Sequence, residues 1–300
     1  MNGLYTADIG ATDVSRLDTP LPGAAYTEAT VFDAELKTIF AWSWMPVGRT
    51  QELGDPGSYF TWERTGIPTV LVRSIDRTVR GFYNSCRHRG APVVRTPTGR
   101  ARAFRCQYHS WTYDTFGTLM AVPDERDFGN IDRCAYSLVP LRTAEIGGWL
   151  WIDQGGKASD LADALGEAAA WLAKRPDYAT VNRLTAKVSS NWKAVIERLA
   201  QPNGSLPNVA DKRWCLPNTL FLGGRRSTRM FAAWPVDERT TVIELVTCAD
   251  DAMTDVDEAL LAKLVAATDG IPTAGFGPDA PGMIARKLAL DWRRAMHAVA

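Results

Sequence analysis

The chain has 300 residues, 46% of them hydrophobic, which is enough to bury one large core or two smaller ones. Its 34 basic residues balance its 34 acidic ones, so the chain as a whole has no electrostatic footprint for a nucleic-acid partner. No apolar run reaches the roughly 18 residues of a membrane span, and the polar start, MNGLYTADIG, has no signal-peptide pattern. A cytoplasmic setting is therefore expected.

In chain order, residues 32–41 have helical spacing, with Phe32, Leu36, Ile39 and Phe40 on one side. From Met45 to Leu141 short β-branched and aromatic runs alternate with Gly, Pro, Asp and Asn. They predict strands at 69–75, 79–83, 103–106 and 110–113, with tight turns at Asp76-Arg77 and Phe116-Gly117. Gly147-Gly148 reads as a link before a strand at 149–153. Residues 158–174 predict one amphipathic helix, with Leu161, Leu165, Ala168 and Leu172 on one face. A strand at 181–188 and a helix at 191–199 come next, then an irregular stretch, 201–214. Strands near 219–222, 228–234 and 240–247 and helices at 256–268 and 283–298 complete the pattern. The fold class expected is α+β: a small antiparallel β domain followed by a sheet with helices against it. The expected segments are 1–44, helical and packed on the second domain; 45–145, the β domain; and 146–300, the α+β domain.

Four residues carry the chemistry. The pattern is Cys86-x-His88, then seventeen residues, then Cys106-x-x-His109. Two thiolates and two imidazoles so arranged are the ligand set of a Rieske [2Fe–2S] cluster, with the cysteines on one iron and the histidines on the other. A structural zinc site also takes two Cys and two His, but a zinc finger pairs Cys with Cys and His with His along the chain. Here each motif supplies one of each. The other cysteines, Cys134, Cys215 and Cys248, make five in all, an odd number with no disulfide spacing, and are read as reduced thiols.

The segments CRHRGAPV (86–93) and FRCQYHSWTYDTFGTL (104–119) resemble the Rieske non-heme iron oxygenases. The likeness extends over residues 30–155 and departs from the usual family text at Gln107, usually Pro, and Ser110, usually Gly. Respiratory Rieske proteins carry an extra cysteine pair beside the ligands, which this chain lacks. The resemblance implies a helix-grip (START-like) second domain. It also implies that Arg87, Arg89, Tyr108 and Trp111 surround the cluster, orienting and shielding it.

The resemblance implies a second metal site, and here the sequence departs from the family. Asn191-Trp192-Lys193 and Glu197 match the family text, yet the stretch that should bring His-x-x-x-x-His reads RLAQPNGSLPNVA (198–210). Ser205 and Ala210 fall at the two histidine positions. The chain has three histidines, His88, His109 and His297, so building the cluster leaves one. A two-His, one-carboxylate iron site needs two. Asp255, Asp257 and Asp269 read as solvated acids near a helix, and His297 as a helix-end cation. No mononuclear Fe(II) is expected in this chain. Gln201 or Pro202 stands where the family has an acid bridging cluster and iron.

The resulting expectation is an α-type oxygenase subunit that keeps its cluster and has lost its mononuclear iron. Its expected partners are a ferredoxin or flavin reductase and a related oxygenase subunit holding a 2-His-1-carboxylate iron. Such subunits would assemble as trimeric or hexameric hetero-oligomers. Two other readings are a self-sufficient hydroxylase with an atypical iron site and a cluster-dependent redox sensor.

Overall fold

The computed structural model describes residues 21–123, 125–201, 211–250, 254–271 and 283–297. The chain forms two compact units: Trp42–Asp177, and residues 1–41 together with Tyr178–Ala300. The boundary expected at 145/146 is displaced to 177, and the reason lies in the strand pairing.

The unit Trp42–Asp177 holds ten strands: β1 (Trp44–Arg49), β2 (Ser58–Trp62), β3 (Thr69–Arg73), β4 (Val79–Tyr83), β5 (Thr98–Arg100), β6 (Ala103–Arg105), β7 (Thr112–Asp114), β8 (Leu119–Ala121), β9 (Pro140–Ile146) and β10 (Trp149–Asp153). Seven form an antiparallel sheet in the order 1-10-9-4-3-2-5, and β6-β7-β8 form a second, smaller sheet. β10 pairs with β1 on one side and β9 on the other, so it is an interior strand of this unit. Gly147-Gly148, read as a link, is the two-residue turn of the β9–β10 hairpin. Both glycines have positive φ, 61° and 72°, as a type I′ turn requires. A Cβ on Gly147 would lie 2.4 Å from the Leu172 carbonyl oxygen, so a side chain is excluded there by space as well. Arg49 donates to the Gly147 carbonyl (2.7 Å) and holds the turn against β1. The single helix expected at 158–174 is two, Leu161–Leu165 and Glu167–Ala173, because Gly166 between them has φ 53°.

In the other unit a five-stranded antiparallel sheet runs β11 (Thr180–Val188), β15 (Thr240–Ala249), β14 (Ser227–Asp237), β13 (Thr219–Gly223), β12 (Lys212–Cys215). Helices Trp192–Ala200 and Thr254–Thr268 pack on it. Asn191 caps the first of these, its side chain accepting from the Lys193 amide (2.9 Å). The N-terminal helix Ala29–Glu35 runs on as a π-helical turn, Leu36–Phe40, and the helix Met283–His297 packs against it. The architecture is α+β, as expected.

A polar group lies at the centre of this unit. The Glu35 carboxylate is fully buried and accepts from Lys193 Nζ (2.7 Å), Trp192 Nε1 (2.9 Å) and Trp292 Nε1. Nearby, Tyr26 donates to Glu197 Oε1 (2.7 Å), while Glu197 Oε2 is buried with no partner among the described residues. Burial pushes the Glu197 carboxyl up to about 7, against the smaller opposing pulls of Tyr26 and Lys193. The sign of the consequence follows from linkage. The unfolded chain releases this proton near the ordinary glutamate value and the folded chain releases it near 7, so stability falls as pH rises between the two, by on the order of 3 kcal/mol. Urea unfolding at intervals from pH 4.5 to 8 should show this decline, and Glu197→Gln should flatten it.

Candidate metal centre

The two metal motifs are held differently. Cys106–Ser110 is the tip of the β6–β7 hairpin, closed by the Cys106 amide on the Trp111 carbonyl (2.9 Å) and the Ser110 amide on the Cys106 carbonyl (3.0 Å). Ser110, where the resembling family has glycine, stands at φ 59°, in the left-handed region. Cys86 and His88 lie not in a hairpin but in a connection, because β4 and β5 are not neighbours and the chain must cross β3 and β2 to join them. Asn84 supplies the order that strand pairing would have given. Its Oδ1 accepts from the amides of Val93 (3.0 Å) and Val94 (2.9 Å), and its Nδ2 donates to the Val94 carbonyl (2.7 Å). The Cys86 amide donates to the Ala91 carbonyl (2.7 Å), which folds the loop back under its own histidine.

Both loops meet over one apolar core formed by Val70, Val72, Phe82, Phe104, Leu119 and their neighbours, in which Cys86 and Cys106 are buried. The imidazoles of His88 and His109 lie 4.5 Å apart between ring centres, at 75°. His88 is half-buried and His109 exposed. The four residues singled out by spacing therefore converge, cysteines inward and histidines outward.

Several observations test the fit of a two-iron cluster to this donor set. Both cysteines are free thiols. His88 Nδ1 is a buried nitrogen with no partner among the described residues, an orphan that a metal ion would satisfy. Burial, the neighbouring His109 and Arg89 hold the His88 imidazole below its ordinary value, which favours the neutral form that ligates metal. Among the described residues no three His, Cys, Asp or Glu side chains gather around one point; a Rieske cluster asks for two protein ligands on each iron. The donors fit that cluster.

The surroundings divide the residues expected there. Trp111 is buried and stacks on His88 (5.1 Å, 10°). Tyr108 is exposed beside His109, with the Arg95 guanidinium over its ring (5.0 Å). The Arg87 and Arg89 side chains are exposed, and Arg87 contributes through its backbone amide. Three residues were not singled out from the sequence. Tyr113, fully buried, sits with its hydroxyl 3.4 Å from Cys86 Sγ and accepts from the Arg87 amide (3.0 Å). Phe128 packs edge-on against His88 and Trp111, and Tyr136 edge-on against Trp111. Tyr113 is seven residues from Cys106 and within reach of a motif reading; nothing in the pattern links Phe128 and Tyr136 to it. Ser205 and Ala210, the degenerate iron-ligand positions, lie outside the described residues, and Gln201 ends the helix Trp192–Ala200 as its C-cap.

The Tyr113 hydroxyl donating to a ligand sulfur would stabilise the more negative, reduced state of a bound cluster. Tyr113→Phe is expected to lower its reduction potential by on the order of a few tens of millivolts, one hydrogen bond converted for a one-electron couple. Redox titration followed by EPR measures it.

Comparison with known proteins agrees with this geometry. Residues 43–141 match the family described as the Rieske [2Fe–2S] domain. The α subunit of benzene 1,2-dioxygenase from Pseudomonas putida is 38% identical over 144 residues, 48% of this chain and 32% of that protein. The oxygenase subunit of carnitine monooxygenase from Escherichia coli (strain K12) is 32% identical over 181 residues, 59% of this chain and 48% of that one. These matches thus span about a third to a half of the relatives' length. In fold the likeness is broader. The quaternary ammonium Rieske monooxygenase CntA, in complex with γ-butyrobetaine, superposes with a TM-score of 0.77 at 21% identity over 94% of this chain and 97% of that one. Naphthalene 1,2-dioxygenase from Rhodococcus sp. gives 0.72 at 16% identity, covering 93% and 94%. No helix among the described residues is long and apolar enough to cross a membrane. Residues 43–141 are a Rieske [2Fe–2S] domain, and the chain is related to the α subunits of Rieske oxygenases.

Proposed function

We propose that Cys86 and Cys106 hold one iron and His88 and His109 the other iron of a Rieske cluster, and that the chain relays electrons from a ferredoxin or flavin reductase to the mononuclear iron of a partner oxygenase subunit. The observation that carries this reading is a count joined to a geometry: two of the chain's three histidines meet at the tips of the two motif loops, leaving one for any further iron site. When bound, the cluster supplies one-electron acceptance and release at a potential between about −150 and +300 mV. The chain's own residues do the rest. Cys86 and Cys106 keep the sulfur side in the apolar core, Trp111 and Phe128 shield His88 from water, and His109 keeps an exposed edge. Substrate choice, whether quaternary amine, aromatic ring or another class, rests on this reading with the partner.

The test is iron counting and turnover on the purified chain. Two irons and two sulfides per chain, a Rieske EPR signal, and product formed only after a partner with a 2-His-1-carboxylate site is added are the expected results. The whole-chain likeness in fold to a monooxygenase favours a second reading, a self-sufficient hydroxylase with an atypical iron site. A third iron per chain and oxygen-dependent product from this chain alone would establish that reading and overturn the first.

A further inference from the structure

The two imidazoles are held in different ways. His88 is half-buried, with Trp111 stacked on its face and Phe128 edge-on against it. His109 is exposed at the hairpin tip, and its ring neighbours are His88 at 4.5 Å and the exposed Tyr108 at 6.5 Å. Apolar packing holds the first histidine and does much less for the second.

A polar fastening stands in its place. The ladder of β6 and β7 ends in the register pair Arg105–Thr112, from which residues 106–111 project. Ser110 is tied to both members of that pair. Arg105 donates through Nη2 to the Ser110 hydroxyl (2.8 Å), and the Thr112 hydroxyl donates to the Ser110 carbonyl (2.9 Å). The Ser110 amide donates to the Cys106 carbonyl (3.0 Å), so amide, carbonyl and hydroxyl are all engaged. Arg105 is exposed and, among the described residues, in no ion pair, so this bond orients its guanidinium.

The backbone conformation makes the choice of serine informative. Among the described residues two non-glycine residues have positive φ, Arg77 and Ser110, and Ser110 directly follows His109. Glycine would take φ 59° freely, whereas the Cβ of serine meets a steric cost there. What serine adds is an acceptor for Arg105. A strained residue persists where its surroundings over-determine it, and here three hydrogen bonds do so.

We propose that Ser110 and Arg105 are positioning residues for His109. Their hydrogen bond braces the base of the tip, fixes the backbone on the C-terminal side of His109, and so sets the direction in which its imidazole meets the iron. The proposal rests on the cluster reading above and adds what aims the exposed ligand. Groups that orient a metal ligand without touching the metal still govern how tightly it is held.

The test uses the full chain with its cluster loaded, as wild type, Ser110→Ala, Arg105→Leu, the double variant and Arg105→Lys. Pulsed EPR of the reduced cluster reads the nitrogen couplings of the two histidine ligands, and a chelator reads the rate of iron loss. Ser110→Ala and Arg105→Leu are each expected to shift the coupling of one histidine, leave the other at its wild-type value, and lose iron about tenfold faster. The double variant should lose iron no faster than either single variant, because both remove the same bond. Arg105→Lys, which keeps a cationic donor, should bring coupling and rate back toward wild type. Wild-type couplings in either single variant overturn the proposal, as do losses that multiply in the double variant. Faster iron loss with both couplings unchanged would make the pair a prop for the hairpin alone and overturns it too. Should Ser110→Ala take up no cluster, Arg105→Leu decides, since that side chain is exposed and its loss leaves the tip backbone unaltered in sequence. A wild-type preparation with no Rieske EPR signal is a different failure, that of the cluster assignment itself.

Discussion

Cys106→Ser is expected to give a chain whose iron and sulfide content falls from about two each to near zero, with loss of the visible and EPR signals. Cys106 is buried at the tip of the β6–β7 hairpin and lies close enough to Cys86 for the two thiols to interact. A serine hydroxyl is neither soft nor readily ionised, and in this apolar pocket it would be a poor substitute for a thiolate. The same core holds Val93, Phe104 and Trp111, so the variant is expected to fold while losing the tether that a cluster would provide between the two loops. The control is Cys215→Ser. Cys215 is equally buried, and burial pushes its thiol up to about 12, which leaves it inert, so iron content there should stay at the wild-type value. Equal iron loss in both variants would point to general unfolding and against the assigned ligands.

Glu35→Ala is expected to destabilise the unit formed by residues 1–41 and Tyr178–Ala300 by about 3–5 kcal/mol, the cost of breaking a fully buried ion pair by removing one partner. The carboxylate is the shared acceptor of Lys193, Trp192 and Trp292, so its loss strands a buried ammonium and two indole N–H groups at once. Burial already pulls Lys193 below its ordinary value, against the opposing pull of Glu35. Removing Glu35 removes the main group opposing that burial. Urea unfolding should show a lower midpoint in Glu35→Ala. The double variant Glu35→Leu/Lys193→Met should cost much less than the sum of the two single losses, because no charge is then left unpaired. Additive losses would mean that the pair contributes little beyond packing.

The strand and helix positions were largely legible because they rest on local periodicity. The runs at 79–83, 149–153 and 240–247 show their alternation or apolarity over a few residues, and the structure places strands there. The misreadings concern glycine. Gly147-Gly148 looks like a flexible link and is a tight hairpin turn; Gly166 looks like a tolerated helix interior and divides a helix in two. Gly147 is closed in by the Leu172 carbonyl, a contact distant along the chain, whereas Gly166 has open space around it and divides the helix by its positive φ alone.

By itself the sequence determined the donor set, because metal ligation demands particular atoms at short spacing, and Cys86, His88, Cys106 and His109 stand in two such short motifs. It determined the arithmetic of histidines too, which a count of three settles without coordinates. Only the tertiary structure decided what surrounds those donors. Tyr113 meets Cys86, Phe128 and Tyr136 reach Trp111, and Glu35 meets Trp192 across 157 residues of chain. The physical reason is the same in each case. A ligand motif is specified by atoms close along the chain, whereas burial, stacking and field are specified by atoms close in space.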